Sequence, residues 1–141
     1  MPTARAPLRL ALALVAALAL PAGASAKVLV TYTRSGGIAG EMTSLVVERD
    51  RDASVQDRRQ GPDHFRVSKK RYRALRKALR AAHFATLDPT YGPEQGVVND
   101  GIDETVRFNG HSVTVSTGGD PPARLEKALE KLRALTARSD G

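Results

Sequence analysis

The residue types best suited to chemistry in this chain are three histidines, His64, His83 and His111, and the oxygen-rich run Asn99-Asp100-Gly101-Ile102-Asp103-Glu104. The histidines lack the short spacings that place two or three imidazoles on one metal ion, so each is expected at the surface or at a boundary. The acidic run concentrates possible calcium ligands but lacks the regular ligand spacing of an EF-hand loop. Asp103 and Glu104 are neighbours on a strand-like segment. Their side chains therefore leave on opposite faces and cannot form a glycosidase pair. The chain has no cysteine, which removes thiol nucleophiles, thiolate metal sites and disulfides together. No Gly-x-Ser-x-Gly, His-Glu-x-x-His or Gly-Lys-Ser/Thr motif occurs either. The expectation is a non-enzyme without metal or cofactor.

What remains is surface recognition, and Arg34-Ser35-Gly36-Gly37-Ile38-Ala39-Gly40 is the stretch best suited to it. Gly36 and Gly37 remove Cβ at two successive positions, so the backbone is free to take positive φ and a partner surface to approach closely. The stretch has no lysine and is followed by a strand, so it is not a phosphate-binding P-loop. Two readings are open: a hairpin connection that needs glycine for its turns, or a contact surface.

The elements that would carry this loop can be read in order. Val28 to Thr33 is a β-branched and aromatic run expected as the first strand, and Glu41 to Arg49 alternates around Leu45 and Val47 as a second, antiparallel to it. Ser54 to Arg59 reads as a third strand at an exposed edge, its charges discouraging strand addition. Gly61-Pro62-Asp63 then breaks the chain. Ser68 is the expected N-cap of a helix over about 69–82, with Tyr72, Leu75, Leu79 and Ala82 within about 80° of one another on the wheel. Asp88 to Gly96 holds two prolines and two glycines and is expected as a surface loop, with Tyr91 placed to pin it.

Asn109-Gly110 gives the clearest local signal, a two-residue primed turn joining Ile102–Phe108 to His111–Thr117. The turn fixes the register: Val106 faces Val113, Phe108 faces His111, Glu104 faces Val115 and Ile102 faces Thr117 on the mostly apolar side, with Arg107/Ser112, Thr105/Thr114 and Asp103/Ser116 on the other. Glu104 is thus an acid on an apolar face, expected to reach solvent or an arginine from a helix. Asp120 and Pro121 suit the start of a last helix reaching about Thr136, its stripe being Leu125, Ala128, Leu129, Leu132 and Leu135. The expected fold is α+β, an antiparallel sheet of four to five strands with two helices packed on one face.

Residues 1–26 read as a cleaved secretory signal peptide. Arg5 and Arg9 precede an apolar run too short to span a bilayer, and Ala24-Ser25-Ala26 fits cleavage after Ala26. Residues 27–141 then form a single secreted or periplasmic domain, expected to act as a monomer. The full chain carries 22 basic and 15 acidic residues, and removing Arg5 and Arg9 leaves 20 against 15, a formal charge of +5. Tryptophan is absent and only three Tyr and three Phe occur, so stacking platforms for nucleic acid are scarce and no specific nucleic-acid partner is expected.

Much of the positive charge sits on the first helix. Lys69, Lys70, Arg73, Arg76, Lys77 and Arg80 occupy an arc of about 120° with no acid among them, and the first three lie where the helix dipole disfavours cations. Either this is a solvated face, or it docks an anionic polymer or envelope surface.

The order of elements over residues 28–136, together with the Arg34-Ser35-Gly36-Gly37-x-Ala39-Gly40 loop, resembles the emfourin family, small protein inhibitors of protealysin and other thermolysin-like zinc metalloproteinases. Ile38 stands where that family commonly has Phe. The resemblance implies a non-enzymatic, tight-binding inhibitor that binds its proteinase through residues 34–40, with Ile38 as apolar anchor, Arg34 as rim contact and no zinc ligand of its own; the leader at residues 1–26, a departure from the family, would make it a secreted one. The competing expectation is a secreted binding protein using the basic helix face.

Overall fold

The computed structural model describes residues 27–93 and 100–137. The proposed leader at residues 1–26, and Glu94–Gly96 and Asn99 of the two loop readings, lie outside the described residues.

Seven strands form one sheet: β1 Val28–Gly36, β2 Glu41–Glu48, β3 Asp52–Asp57, β4 Gly61–Arg66, β5 Thr90–Tyr91, β6 Ile102–Phe108 and β7 His111–Ser116. Their spatial order is β4-β3-β2-β1-β6-β7-β5, antiparallel throughout except where β5 runs parallel to β7. Two α-helices among the described residues complete the α+β fold, α1 Lys69–Ala81 and α2 Ala123–Ala137. No described helix is long and apolar enough to cross a membrane.

The sheet is therefore larger than four to five strands and not purely antiparallel. One added strand is β4, which begins at the Gly61-Pro62-Asp63 sequence expected to break the chain. Gly61 takes φ 78° at the start of the strand, and Pro62 is tolerated because β4 is an edge strand with one side free of ladder bonds. It follows that β3 is not the exposed edge: Ala53 and Val55 are buried between β2 and β4. The other addition is β5, two residues long, whose entry is fixed by the Thr114 amide donating to the Pro89 carbonyl at 2.9 Å.

The Asn109-Gly110 hairpin has the expected register at all six pairs from Asp103↔Ser116 to Phe108↔His111. Both turn residues have positive φ, 49° and 78°, the primed geometry that matches strand twist. Ser68 caps α1 through its hydroxyl, which accepts from the Arg71 amide at 3.3 Å. α2 starts at Ala123, two residues beyond Pro121. Its first amide bonds, from Leu125 and Glu126, go to the Pro122 carbonyl, so Asp120 stands outside the helix.

Both helices lie against one face of the sheet, and successive cross-strand rows explain why. One row runs Phe65, Ala53, Val47, Val30, Phe108, and the next Val55, Leu45, Tyr32, Val106, Val113. Against these pack Tyr72, Leu75, Leu79 and Ala82 of the first helical segment and Leu125, Leu129, Leu132 and Leu135 of the second, all buried. The opposite face carries the polar row Gln56, Ser44, Thr33, Thr105, Thr114, with Thr105 and Thr114 joined hydroxyl to hydroxyl at 2.9 Å. The third row on the helix side breaks the apolar pattern. It reads Asp57, Thr43, Arg34, Glu104, Val115, and it lies at the end of the sheet from which the β1–β2 connection leaves.

Candidate functional site

The connection itself is shorter than the seven residues expected of it. Arg34, Ser35 and Gly36 belong to β1 and pair on both sides, with Thr43, Met42 and Glu41 of β2 and with Glu104, Asp103 and Ile102 of β6. Strand alternation sends Arg34 to the helix-covered side and Ser35 to the other, so these two do not share a contact surface. Only Gly37-Ile38-Ala39-Gly40 forms the turn, closed by the Gly40 amide donating to the Gly37 carbonyl at 3.0 Å.

Three further contacts hold this turn. The Gly37 amide donates to the Gly101 carbonyl at 3.2 Å, Arg58 Nη1 donates to the Gly40 carbonyl at 3.3 Å, and the Arg58 amide donates to the Met42 carbonyl at 3.2 Å. Gly36 sits at φ 119° with its Cα pressed against the β6 entrance; a Cβ built there would stand 2.2 Å from the Gly101 carbonyl oxygen. Ile38 projects from the tip of this braced turn and is 90% exposed, and Met42 beside it is 54% exposed. These are the two exposed large apolar side chains among the described residues.

Under the turn lies a polar cluster. Glu104 is 8% exposed and accepts from the Tyr32 hydroxyl at 2.5 Å, from Arg133 Nε at 2.7 Å and from Arg133 Nη2 at 2.5 Å. Arg133 Nη1 reaches on to Glu126 at 2.6 Å. The fork geometry of the guanidinium suits a two-oxygen partner, and both carboxylate oxygens of Glu104 accept a hydrogen bond. Burial alone would raise the Glu104 carboxyl, but the Arg133 hydrogen bonds, the Tyr32 hydroxyl and the charges of Arg133 and Arg34 outweigh it and hold the group below the usual carboxylate range. Burial, and then the bond to Glu104 and its charge, push the Tyr32 phenol far above its ordinary value. The hydrogen bonds to Glu104 likewise raise Arg133, so at neutral pH a Glu104 carboxylate faces an Arg133 guanidinium while the Tyr32 phenol stays protonated.

Arg34 is exposed and lines two clefts on either side of this cluster. One, of about 360 Å³, runs between the turn, Arg58 and Arg133; the other, of about 330 Å³, is bounded by Ile102, Thr117, Pro121 and Glu126. The arrangement supplies a braced apolar tip with a cationic flank.

The basic helix face is a separate place. Lys69, Lys70, Arg73, Lys77 and Arg80 are exposed, and Arg76 lies with its guanidinium 5.8 Å from the centre of the Tyr72 ring. The histidines are scattered at the surface, and among the described residues no group of three or more His, Asp or Glu side chains is placed to hold a metal. Asp103 is exposed on the face opposite Glu104, so the acidic run does not converge.

Of the two expectations for Glu104, solvent or a helix-borne arginine, the structure shows the second: the carboxylate is buried and bonded to Arg133. Tyr32, Glu126 and Arg133 were not singled out by the sequence, which shows the misplaced acid but not which residues meet it once α2 is laid across the sheet. No protein-family model matches the chain, and no curated protein matches it.

Proposed function

We propose that the domain is a protein inhibitor of a thermolysin-like zinc metalloproteinase, which it engages with the Gly37–Gly40 turn. The observation that carries the reading is the 90% exposure of Ile38 on a turn fastened to β6, β1 and Arg58. Leaving a β-branched side chain in water at the tip of a rigid support is unfavourable for the free domain and favourable for one that fills an apolar subsite. The resemblance of the Arg34–Gly40 motif to emfourins supplies the target class.

The turn also explains why such an inhibitor would not be digested. Gly37 and Gly40 hold φ of 78° and 60°, so the chain on either side of Ile38 cannot adopt the extended form in which a peptide is cleaved. Its fixed shape lowers the ordering cost of binding. Arg34 and Arg58 flank the tip and favour a target surface with acidic groups beside the apolar subsite. Export through a leader at residues 1–26 would deliver the domain to enzymes outside the cytoplasm.

Inhibition constants against a panel of thermolysin-like enzymes test the reading. Ile38→Asp should weaken inhibition of the cognate enzyme by about 100-fold or more, the loss typical of a central hot spot, with the unfolding temperature unchanged. Arg34→Ala, at the rim, should cost less than about fivefold. No inhibition at micromolar protein across the panel, or equal potency of Ile38→Asp, would overturn it.

A further inference from the structure

We infer that the outward face of α1 is a docking site for an anionic polysaccharide. α1 holds Lys69, Lys70, Arg71, Arg73, Arg76, Lys77 and Arg80 within thirteen residues and no acid, and none of the seven takes part in an ion pair among the described residues. The first turn, where a carboxylate would be stabilised by the helix dipole, instead carries Lys69, Lys70 and Arg71. Repulsion at Lys69/Arg73 and Arg73/Lys77 adds to that cost. Folding gains little from most of this charge: Arg76 lies over Tyr72 and Arg80 suits the last turn, but the core contacts of α1 are made by its apolar stripe.

The layout of the charges selects the partner. Arg73, Arg76, Lys77 and Arg80 line a shallow trough of about 310 Å³ with no other residue in its wall. Arg76 is steadied over Tyr72, so at least one guanidinium is already oriented. The stripe is one helix wide and about 18 Å long at 1.5 Å per residue, which matches one chain of spaced anions and not the two strands of a duplex. On its α2 side the outward surface carries the exposed Glu130 between Lys127 and Lys131, so the basic field is interrupted there. A bilayer-docking helix needs apolar side chains on its outward face, and those of α1 are all turned to the core. Single-stranded nucleic acid needs aromatic platforms, and the nearest ring, Tyr72, is buried beneath Arg76. A sulfated or uronate-bearing polysaccharide needs only the row of cations.

The site is independent of the Ile38 turn. Binding of the intact chain to heparin should be measured across a salt series, beside single-stranded DNA of equal charge concentration and vesicles containing anionic phospholipid. Arg73→Glu/Lys77→Glu should weaken heparin binding by about 100-fold, as expected for reversing two charge-assisted contacts, while Arg49→Glu/Arg107→Glu, beside Thr31 and Ser112 on the sheet face away from the helices and with the same change in net charge, should alter it less than about threefold. Proteinase inhibition should be the same in all three proteins. Absence of heparin binding, an equal loss in both double variants, or tighter binding to the DNA or the vesicles than to heparin would overturn the assignment.

Discussion

Gly36→Ala should lower the stability of the domain by about 3–4 kcal/mol, the sum of a left-handed backbone penalty of about 1–2 kcal/mol and an overpacking penalty of similar or larger size. The added Cβ would lie 2.2 Å from the Gly101 carbonyl oxygen and 3.1 Å from Ile102 Cα, both backbone atoms that no side-chain rotation can clear. Relief requires the end of β1 to lift from β6, and that movement breaks the Gly37 amide to Gly101 carbonyl bond that fastens the turn. Gly37→Ala is the matched control. Its φ of 78° carries the same kind of backbone penalty, but nothing lies within 4 Å of the added methyl, so about 1–2 kcal/mol is expected. Urea midpoints of the two variants separate the contributions. Equal destabilisation would mean that the Gly36–Gly101 approach does not constrain the fold. The inhibitory reading adds a second consequence: Gly36→Ala should lose potency at temperatures where it is still folded, because the tip is displaced while Ile38 is retained.

That pair of glycines shows where sequence reasoning stops. Gly36 and Gly37 look alike in the chain, both promising conformational freedom in a loop. Only the pairing of β1 with β6, more than sixty residues apart, makes Gly36 a strand residue that must lack Cβ, and shortens the loop to four. The hairpin at Asn109-Gly110 was fully legible, register included, because a two-residue turn determines every cross-strand pair by itself. α1 was legible for a similar local reason, a serine cap followed by a helical stripe. β4 was not, since Gly-Pro-Asp is a breaker everywhere except at a sheet edge, and edge position is a property of the assembled sheet. β5, at two residues, has no periodicity to read.

The polar row beneath the turn was half legible. The register exposed Glu104 as an acid among apolar neighbours, which left it either solvent or a helix-borne arginine, and nothing in the sequence marks Arg133, among the mixed charges of the last helix, as that arginine. The cluster ties the three elements that carry the turn. Tyr32 is on β1, Glu104 on β6 and Arg133 on α2, so the sheet end and the helix are locked at the point where the tip emerges. Rigidity at Ile38 is thus a property of residues well outside the turn.

Arg133→Met tests that lock, and its pH dependence is the diagnostic part. At pH 7 the variant should lose about 3 kcal/mol, the cost of leaving a mostly buried carboxylate with the Tyr32 hydroxyl as its remaining partner. In the parent protein Glu104 is held below its unfolded range, so it contributes stability that is complete above that range and is lost as pH falls through the folded value. Without Arg133 burial is opposed only by the Tyr32 hydroxyl and the Arg34 charge, so the Glu104 carboxyl of the variant moves up relative to the parent's and the variant loses less stability as pH falls. The two curves should therefore converge on acidification, in contrast to the constant gap expected if Arg133 acted only through its aliphatic stem. Adding Glu104→Gln to Arg133→Met removes the stranded charge, so the double variant should be more stable at pH 7 than Arg133→Met alone, by about 1–2 kcal/mol. A double variant that is less stable than Arg133→Met would show that Glu104 is held by something other than the guanidinium.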